Sequence, residues 1–230
     1  MSEKVIILLP ALNENDGIVK TIKEVPLREL KSRGFTPEIV VADSGSTDGT
    51  QKAVRDLGIR VIQSKRGKGR TVRDALEILK IECTYIFMLD SDFTYPPSYI
   101  PIMLQDLEYG RADVVIGTRL KGIREEGSMS ESHFIGNVGL TYLANKLFNT
   151  PISDLCTGYW GFTKEAISKL NLRANFFELE ANIYTEIDRN NLIVTEVPIV
   201  YRKREGEISK LKYKDGFKIA WWLLKERVLR

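Results

Sequence analysis

The sequence predicts an α/β fold: a single domain with a mixed, mostly parallel sheet flanked by helices. Apolar runs of strand length recur along the chain, and helix-type segments separate the first four of them, at residues 5–9, 38–42, 60–63 and 84–89. The chain has 230 residues, 43% of them hydrophobic, and no long linker or low-complexity stretch. This length and composition suit one core of ordinary size.

The first predicted strand, residues 5–9, runs straight into a polar turn at residues 10–17. Ile18, Ile22 and Val25 then follow at helical spacing. A strand, a polar turn and an amphipathic helix make one βα unit.

The second predicted strand, residues 38–42, ends in a turn at residues 43–50 that is rich in glycine, aspartate and hydroxyl side chains. Glycines allow the backbone of such a turn to approach a ligand closely. The acidic side chains can accept hydrogen bonds from a ribose or a base. A helical pattern resumes at residues 53–57.

The third predicted strand, residues 60–63, leads to a basic loop at residues 65–70 that opens a predicted helix at residues 72–80. Basic side chains with free backbone N–H groups at a helix start would form a diphosphate cradle. A solvated basic surface loop explains the same residues. The loop is neither a P-loop nor the dinucleotide Gly-X-Gly-X-X-Gly fingerprint.

The fourth predicted strand, residues 84–89, ends in two aspartates, Asp90 and Asp92. The carboxyl ends of parallel strands open into the crevice where α/β sheets hold ligands. Two carboxylates there suit a magnesium or manganese ion that is itself bound to phosphates. A helix cap is the alternative.

Four polar sites of the second half each have two interpretations. Arg119 follows a strand-like run at residues 113–118 and would bind a phosphate or form an ordinary salt bridge. Asp154 would bind sugar hydroxyls or cap a turn. His133, the single histidine, would contact an acceptor or be structural. Arg202 and Arg204 alternate on a strand-like run, which places them on one face and favours phosphate binding over scattered solubility charge.

Four motifs in order resemble family 2 glycosyltransferases with the GT-A fold: residues 10–14, 41–50, 67–69 and 90–92. The resemblance implies a nucleotide-sugar donor, GDP-mannose or UDP-glucose, and Mg²⁺ or Mn²⁺ held by Asp90 and Asp92. The donor would be bound by residues of these motifs, namely Pro10, Ala11, Asn13, Glu14, Asp43, Ser46, Lys68, Gly69, Asp90 and Ser91.

The second half resembles a subgroup, the polyprenyl-phosphate sugar synthases. Residues 154–162 are similar to their Asp-X-X-Ser/Thr-Gly-Phe segment, residues 177–180 to the acidic segment that follows, and residues 197–211 to their Tyr-Arg-X-Arg-X-Gly-X-Ser-Lys-Leu signature, with one extra residue before Ser209. Thr94 stands where dolichol-phosphate mannose synthases often carry a glutamine, and His133 lies near a place where relatives tend to have an arginine.

This resemblance implies roles for residues of both halves. The predicted catalytic residues are Asp92, Asp154, Arg119 and Glu180, and the predicted acceptor-phosphate residues are Arg119, His133, Arg202, Arg204, Ser209 and Lys210. Residues 1–120 would form the nucleotide-sugar half, residues 121–211 the acceptor half, and residues 212–230 an amphipathic C-terminal helix.

The predicted reaction is a single inverting displacement that moves a mannose or glucose to a polyprenyl or dolichyl phosphate. An alcohol acceptor would need Asp154 or Glu180 as a base, whereas a lipid phosphate would need arginines. The alternatives are a soluble transferase that acts on a small acceptor such as 3-phosphoglycerate and a non-catalytic nucleotide-sugar-binding subunit.

Composition and charge limit the partners. The net charge of +3 does not indicate nucleic acid, and the two cysteines form no metal or disulfide pattern. Because no signal peptide or membrane span is predicted, we expect a cytoplasmic protein, peripheral at the cytoplasmic membrane face. In the last helix, Phe217, Ala220, Trp221, Leu224 and Val228 share a face that would contact lipid, the body of the domain, a second copy or a membrane partner subunit.

Overall fold

A seven-stranded mixed sheet forms the centre of the computed structural model, which describes residues 2–204 and 213–229. Its strands are β1 (Lys4–Ala11), β2 (Thr36–Asp43), β3 (Arg60–Gln63), β4 (Tyr85–Met88), β5 (Val114–Arg124), β6 (Trp160–Thr163) and β7 (Val194–Tyr201). They lie in the order β3-β2-β1-β4-β6-β5-β7. All neighbours are parallel except β6, which is antiparallel to both β4 and β5. The predicted α/β fold with a mostly parallel sheet is confirmed.

Two helical layers cover the sheet. The helices are α1 (Asn15–Glu24), α2 (Leu27–Ser32), α3 (Thr50–Asp56), α4 (Lys68–Leu79), α5 (Ile100–Glu108), α6 (Glu131–Leu147), α7 (Lys164–Lys169), α8 (Leu179–Arg189) and α9 (Tyr213–Val228). Apolar residues of α4, α6, α7, α8 and α9 pack on one face of the sheet, and those of α1, α2, α3 and α5 pack on the other. The central strands are therefore apolar on both faces, as parallel strands between helices usually are.

The strand β6 was not predicted from the sequence. Its four residues are too few for a period-two pattern to stand out. Gly161 in this strand packs against the side chains of Phe87 and Val115, and a Cβ built at Gly161 would lie 2.4 Å and 2.7 Å from them. The antiparallel strand thus joins the two parallel parts of the sheet at close range.

Among the element bounds that differ from the sequence prediction, three bear on the candidate site. The helix α4 begins at Lys68 rather than at residue 72, β5 extends to Arg124, and β7 ends at Tyr201. Arg202 and Arg204 therefore lie beyond the strand, so their expected alternation on a strand is wrong. Strand pairing with Ile123 and Arg124 of β5 stops where β7 ends.

The C-terminal helix α9 packs through Ile219 and Leu223 rather than through the predicted stripe. Phe217, Trp221, Leu224 and Val228 are all exposed. The interpretation in which the stripe packs on the body of the domain is therefore wrong. Glu226, on the same side of the helix as Ile219 and Leu223, is also buried and is ion-paired with Arg173 and Arg189.

No helix within the described residues is both long enough and apolar enough to cross a membrane.

Candidate active site at the carboxyl ends of the central strands

The turns after β1 and β2 are tied together by side chains. The backbone N–H of Asn13 donates to Ser46 Oγ at 2.8 Å, and Asn13 Oδ1 accepts from the N–H of Thr47 at 2.8 Å. The N–H of Glu14 donates to Thr50 Oγ1 at 2.9 Å. Asn13 has a positive φ of 51°, which asparagine tolerates better than most residues. The two polar turns of the sequence therefore form one wall at the carboxyl end of the sheet.

Asp43 organises its own turn. Its carboxylate is fully buried and accepts from the N–H groups of Gly45 and Ser46 at 2.9 Å and from the Gln51 side chain at 2.6 Å. Since these bonds use acceptor positions of the carboxylate, Asp43 shapes the loop in which a base or ribose would lie. Its contact with a nucleotide stays a prediction.

The basic loop after β3 is anchored by its backbone. The N–H groups of Gly69 and Arg70 donate to the carbonyls of Phe176 and Asn175, both at 3.1 Å. A Cβ at Gly69 would lie 2.7 Å from the carbonyl oxygen of Ala174. The expectation that these N–H groups are free for a diphosphate is wrong, because the glycines serve close packing against residues 174–176.

What the loop presents to the crevice is the side chain of Lys68. Its Nζ lies 2.7 Å from Asp90 Oδ1 and 2.8 Å from Glu180 Oε1. Burial lowers the pKa of Lys68, but the two carboxylates outweigh this effect and the pKa is raised. Lys68 is therefore a fixed positive charge beside the first aspartate of the Asp-Ser-Asp motif.

A second cation lies beside the other aspartate. Arg204 donates to Asp92 Oδ2 at 2.6 Å and to Glu14 Oε1 at 2.6 Å. Burial raises the pKa of Asp92, and the nearby charge of Asp90 raises it further, whereas Arg204 acts in the opposite direction. Thr94 also holds Asp92, because its hydroxyl donates to Asp92 Oδ1 at 2.5 Å. Thr94 thus orients the aspartate.

The backbone between Asp92 and Thr94 is held in a rare conformation. Phe93 has a φ of 68°, in the left-handed region that bulky residues seldom adopt. Its ring lies under Arg202, whose guanidinium carbon is 4.6 Å from the ring centroid. Such positions cluster at functional sites because the surrounding structure must impose them.

The donor set suits a divalent metal ion that completes its coordination with phosphate. Four carboxylates, Glu14, Asp90, Asp92 and Glu180, surround two cations, so negative charge is in excess. Within residues 2–204 and 213–229, no group of three or more His, Cys, Asp or Glu side chains is placed to hold a metal ion alone. Magnesium commonly takes only one or two protein carboxylates together with substrate phosphates. The residues therefore fit a metal that arrives with a diphosphate.

Arg119 and Asp154 form a buried ion pair next to this cluster. Arg119 Nε donates to Asp154 Oδ2 at 2.8 Å, its Nη2 donates to Oδ1 at 2.7 Å, and its backbone N–H also donates to Oδ2. The guanidinium carbon lies 5.3 Å from the ring centroid of Tyr201. The sequence left two interpretations of Arg119, a phosphate contact and an ordinary salt bridge. The structure contains the salt bridge, and its partner is Asp154.

The remaining predicted residues are more dispersed. Arg202 pairs with Glu24 at 2.7 Å, near the end of α1, whereas Arg204 reaches Glu14 before its start. His133 lies in the first turn of α6, where its N–H donates to the N-cap side chain of Ser130. Ser209 and Lys210 lie outside the described residues.

Several contact residues were not predicted. Gly158 packs directly on Asp90: a Cβ there would lie 2.4 Å from Asp90 Oδ2, and the Gly158 N–H donates to the buried Tyr95 hydroxyl at 2.8 Å. Burial raises the pKa of Tyr95 well above its usual range, so its hydroxyl stays protonated. The sequence indicated only that Gly158 lies in a motif with Thr157. It contains no local pattern that connects this glycine with Asp90.

Gly158→Ala is expected to displace the Asp90 carboxylate while the fold is retained. Because the backbone at Gly158 does not need a positive φ, the effect comes from the methyl group alone. A displacement of about 1 Å in a catalytic group can lower kcat/KM on the order of a hundredfold. Steady-state kinetics and Mn²⁺ binding would measure it.

Gly136→Ala is the matched control, since nothing lies within 4 Å of a Cβ there. Equal kinetics for both variants would contradict a role for Gly158 in placing Asp90.

A family model described as glycosyl transferase family 2 matches residues 6–170. The chain belongs to this family.

Two curated relatives of this family 2 chain come from the archaeon Haloferax volcanii. The low-salt glycan biosynthesis hexosyltransferase Agl6 is 32% identical over 95% of the chain, and the chain spans about half of that protein, 52%. A dolichyl-phosphate hexose transferase is 31% identical over 82% of the chain and 80% of its own length. The predicted similarity to dolichyl-phosphate hexosyltransferases is thereby confirmed.

A solved structure resembles the family 2 chain along nearly its whole length. It is glucosyl-3-phosphoglycerate synthase from Mycobacterium tuberculosis in complex with Mn²⁺, uridine diphosphate and glucosyl-3-phosphoglycerate. The TM-score is 0.75 at 21% identity, over 98% of this chain and 80% of that one. At this identity the likeness shows the fold alone, and it confirms the predicted GT-A fold.

Proposed function

We propose that this protein transfers a hexose, mannose or glucose, from a GDP- or UDP-linked donor to a polyprenyl or dolichyl phosphate. The observation that carries the proposal is the cluster of Asp90 and Asp92 with Lys68 and Arg204, which come from the carboxyl ends of β4, β3 and β7. A pair of carboxylates with adjacent cations suits a metal-bound diphosphate. The dolichyl-phosphate hexose transferase of Haloferax volcanii supports the choice of acceptor.

The donor would bind across the first half, residues 1–120. Asp90 and Asp92 would hold Mg²⁺ or Mn²⁺, which supplies Lewis-acid stabilisation of the charge that develops on the leaving diphosphate. Lys68 would bind the same phosphates, since its charge is fixed beside Asp90. The wall of Pro10, Ala11, Asn13, Glu14, Asp43 and Ser46 would enclose the nucleoside, and Ser91 ties the motif to this wall by donating to the Pro10 carbonyl at 2.8 Å.

The contacts of Asp154 and Glu180, the two predicted bases, favour a phosphate acceptor. Both oxygens of Asp154 accept hydrogen bonds from Arg119, and Glu180 is ion-paired with Lys68. A phosphate monoester already carries about −1.5 to −2 charge near pH 7, so its oxygen can attack the anomeric carbon without a base. One such displacement inverts the anomeric centre and releases the nucleoside diphosphate.

The acceptor phosphate would lie at the edge of the second half, residues 121–211. Arg204 is the candidate that contacts the metal motif directly, through its ion pair with Asp92. Arg119 is paired with Asp154, and its guanidinium lies over the ring of Tyr201. Arg202, His133, Ser209 and Lys210 are further candidates from the sequence. A lipid-linked acceptor would bring the reaction to a membrane surface, and we assign it to the cytoplasmic face.

The test is transfer of labelled hexose from GDP-mannose and from UDP-glucose, in parallel, into organic-extractable dolichyl phosphate with Mg²⁺ or Mn²⁺. We expect lipid-borne label with one of the two donors and none after chelation of the metal. That result would identify the donor as well as the acceptor class.

Two outcomes would contradict the proposal. Label in 3-phosphoglycerate instead of lipid would favour the soluble small-acceptor transferase. Donor binding without transfer or hydrolysis would favour a non-catalytic subunit.

A further inference from the structure

Exposed apolar side chains are concentrated on the outer sides of α6 and α9. On α9, Phe217 is 79% exposed and Trp221 68%, and Leu224 and Val228 continue the same side. On α6, Ile135, Val138 and Tyr142 follow at helical spacing and are also exposed. We call these seven residues the α6–α9 surface.

The two helices present this surface in one direction. Ala144 of α6 and Ile219 and Leu223 of α9 belong to the same core cluster, on one face of the sheet. The helices also contact each other. Because both helices bury one side in this cluster and contact each other, we infer that their exposed sides lie next to each other and face away from the core.

The charges of α9 are sorted between its two sides. Asp215 and Glu226, its two acidic residues, are buried, and Glu226 is paired with Arg173 and Arg189. The exposed charged residues of α9 are all cationic: Lys214, Lys218, Lys225 and Arg227. On α6, Lys146 lies over the ring of Tyr142, 5.5 Å from its centroid. Within α9, the apolar residues are thus bordered by positive charge, and the acidic Glu178, before α8, lies at the edge of the cleft that Phe217 and Trp221 line.

We propose that the α6–α9 surface binds an anionic lipid bilayer, an inference that rests on the lipid acceptor of the proposed function. Tryptophan and phenylalanine on one side of a helix with lysine and arginine beside them suit the interface of a membrane with anionic headgroups. A second copy of the chain fits less well, since a two-fold contact through this surface would bring the two sets of cations together.

The surface borders the candidate active site at the start of α9. Lys218 lies over the ring of Phe176, 5.8 Å from its centroid. The Phe176 carbonyl in turn accepts from the N–H of Gly69, next to Lys68. Phe176, Phe217 and Trp221 also line one shallow apolar cleft. A bilayer seated on α9 would therefore lie beside the crevice that the phosphate of a lipid acceptor must enter.

The test is sedimentation with vesicles that contain no acceptor, either of phosphatidylcholine alone or with added phosphatidylglycerol. We expect the protein to bind the anionic vesicles and the fluorescence of Trp221 to shift to shorter wavelength. The Phe217→Ser/Trp221→Ser variant should bind at least about tenfold more weakly. Lys225→Glu/Arg227→Glu should lose only the preference for anionic vesicles.

Ile102→Ser/Tyr109→Ser is the matched control, because these exposed residues belong to α5 and the turn after it, on the other face of the sheet. Equal vesicle binding by the Phe217→Ser/Trp221→Ser variant and this control would overturn the proposal. So would absence of vesicle binding by the unmodified protein, or a dimer that only the Phe217→Ser/Trp221→Ser variant abolishes.

A separate assay keeps this test distinct from that of the proposed function. Transfer to a short-chain prenyl phosphate in detergent does not need a bilayer. Loss of that transfer would count against the acceptor, whereas loss of vesicle binding with transfer retained would count against the α6–α9 surface alone.

Discussion

The Asp92→Asn variant is expected to lose hexose transfer by about a thousandfold or more. The amide keeps the size of the side chain but removes the negative charge that would hold the metal and pair with Arg204. Metal-ion catalysis contributes several kcal/mol of transition-state stabilisation, and each 1.36 kcal/mol corresponds to about tenfold in rate. Initial rates of transfer and Mn²⁺ binding by electron paramagnetic resonance would measure both losses.

Asp56→Asn is the matched control for this variant, since Asp56 is an exposed aspartate of α3 that forms an i,i+4 ion pair with Lys52. We expect normal kinetics from it. If Asp92→Asn transferred hexose within about twofold of the unmodified protein, Asp92 would not be a metal ligand in the reaction.

The Asp154→Ala variant is expected to lower the free energy of unfolding by about 3–5 kcal/mol. Asp154 is 0% exposed and Arg119 6%, so the variant leaves a buried guanidinium without its carboxylate. For a chain of 150–250 residues, each kcal/mol lowers Tm by about 2–4 °C. Thermal and urea unfolding would measure the change.

Two comparisons make this prediction specific. Glu24→Ala removes the partner of Arg202 at the surface, where an exposed ion pair contributes about 0–1 kcal/mol. Arg119→Met/Asp154→Leu removes both buried charges and should recover most of the lost stability. A double variant as unstable as Asp154→Ala would show that packing, rather than the unpaired charge, causes the loss.

The first half of the fold could be predicted because its signals are local. The strands β1, β2 and β4 are continuous apolar runs, and each is followed by a polar turn that marks the edge of the crevice. The parallel arrangement then follows from the helical segments between them. The strand β6 was not predicted, because four residues are too few to show an alternating apolar pattern. It also pairs with β4 and β5, which lie about 40–75 residues earlier in the chain.

The candidate site could be predicted only as a set of residues. Asp90, Asp92, Lys68 and Arg204 were all expected near a donor or acceptor, and each lies at the carboxyl ends of the strands. Their partners were not predictable. Lys68 pairs with Glu180 and Arg204 with Glu14, and no short-range pattern connects residues so far apart in sequence.

By itself, the sequence determined the order of the first four strands with a helical segment after each of the first three, the positions of the polar turns and the resemblance to family 2. These depend on periodicity and motifs that are complete within about 10–20 residues. Only the tertiary structure decided that Asp154 holds Arg119, that Gly158 makes room for Asp90, and that α9 buries Glu226 while Trp221 stays exposed. The physical reason is that a side chain takes its partner from the packing of distant elements, and the sequence pattern of one element does not contain its neighbours.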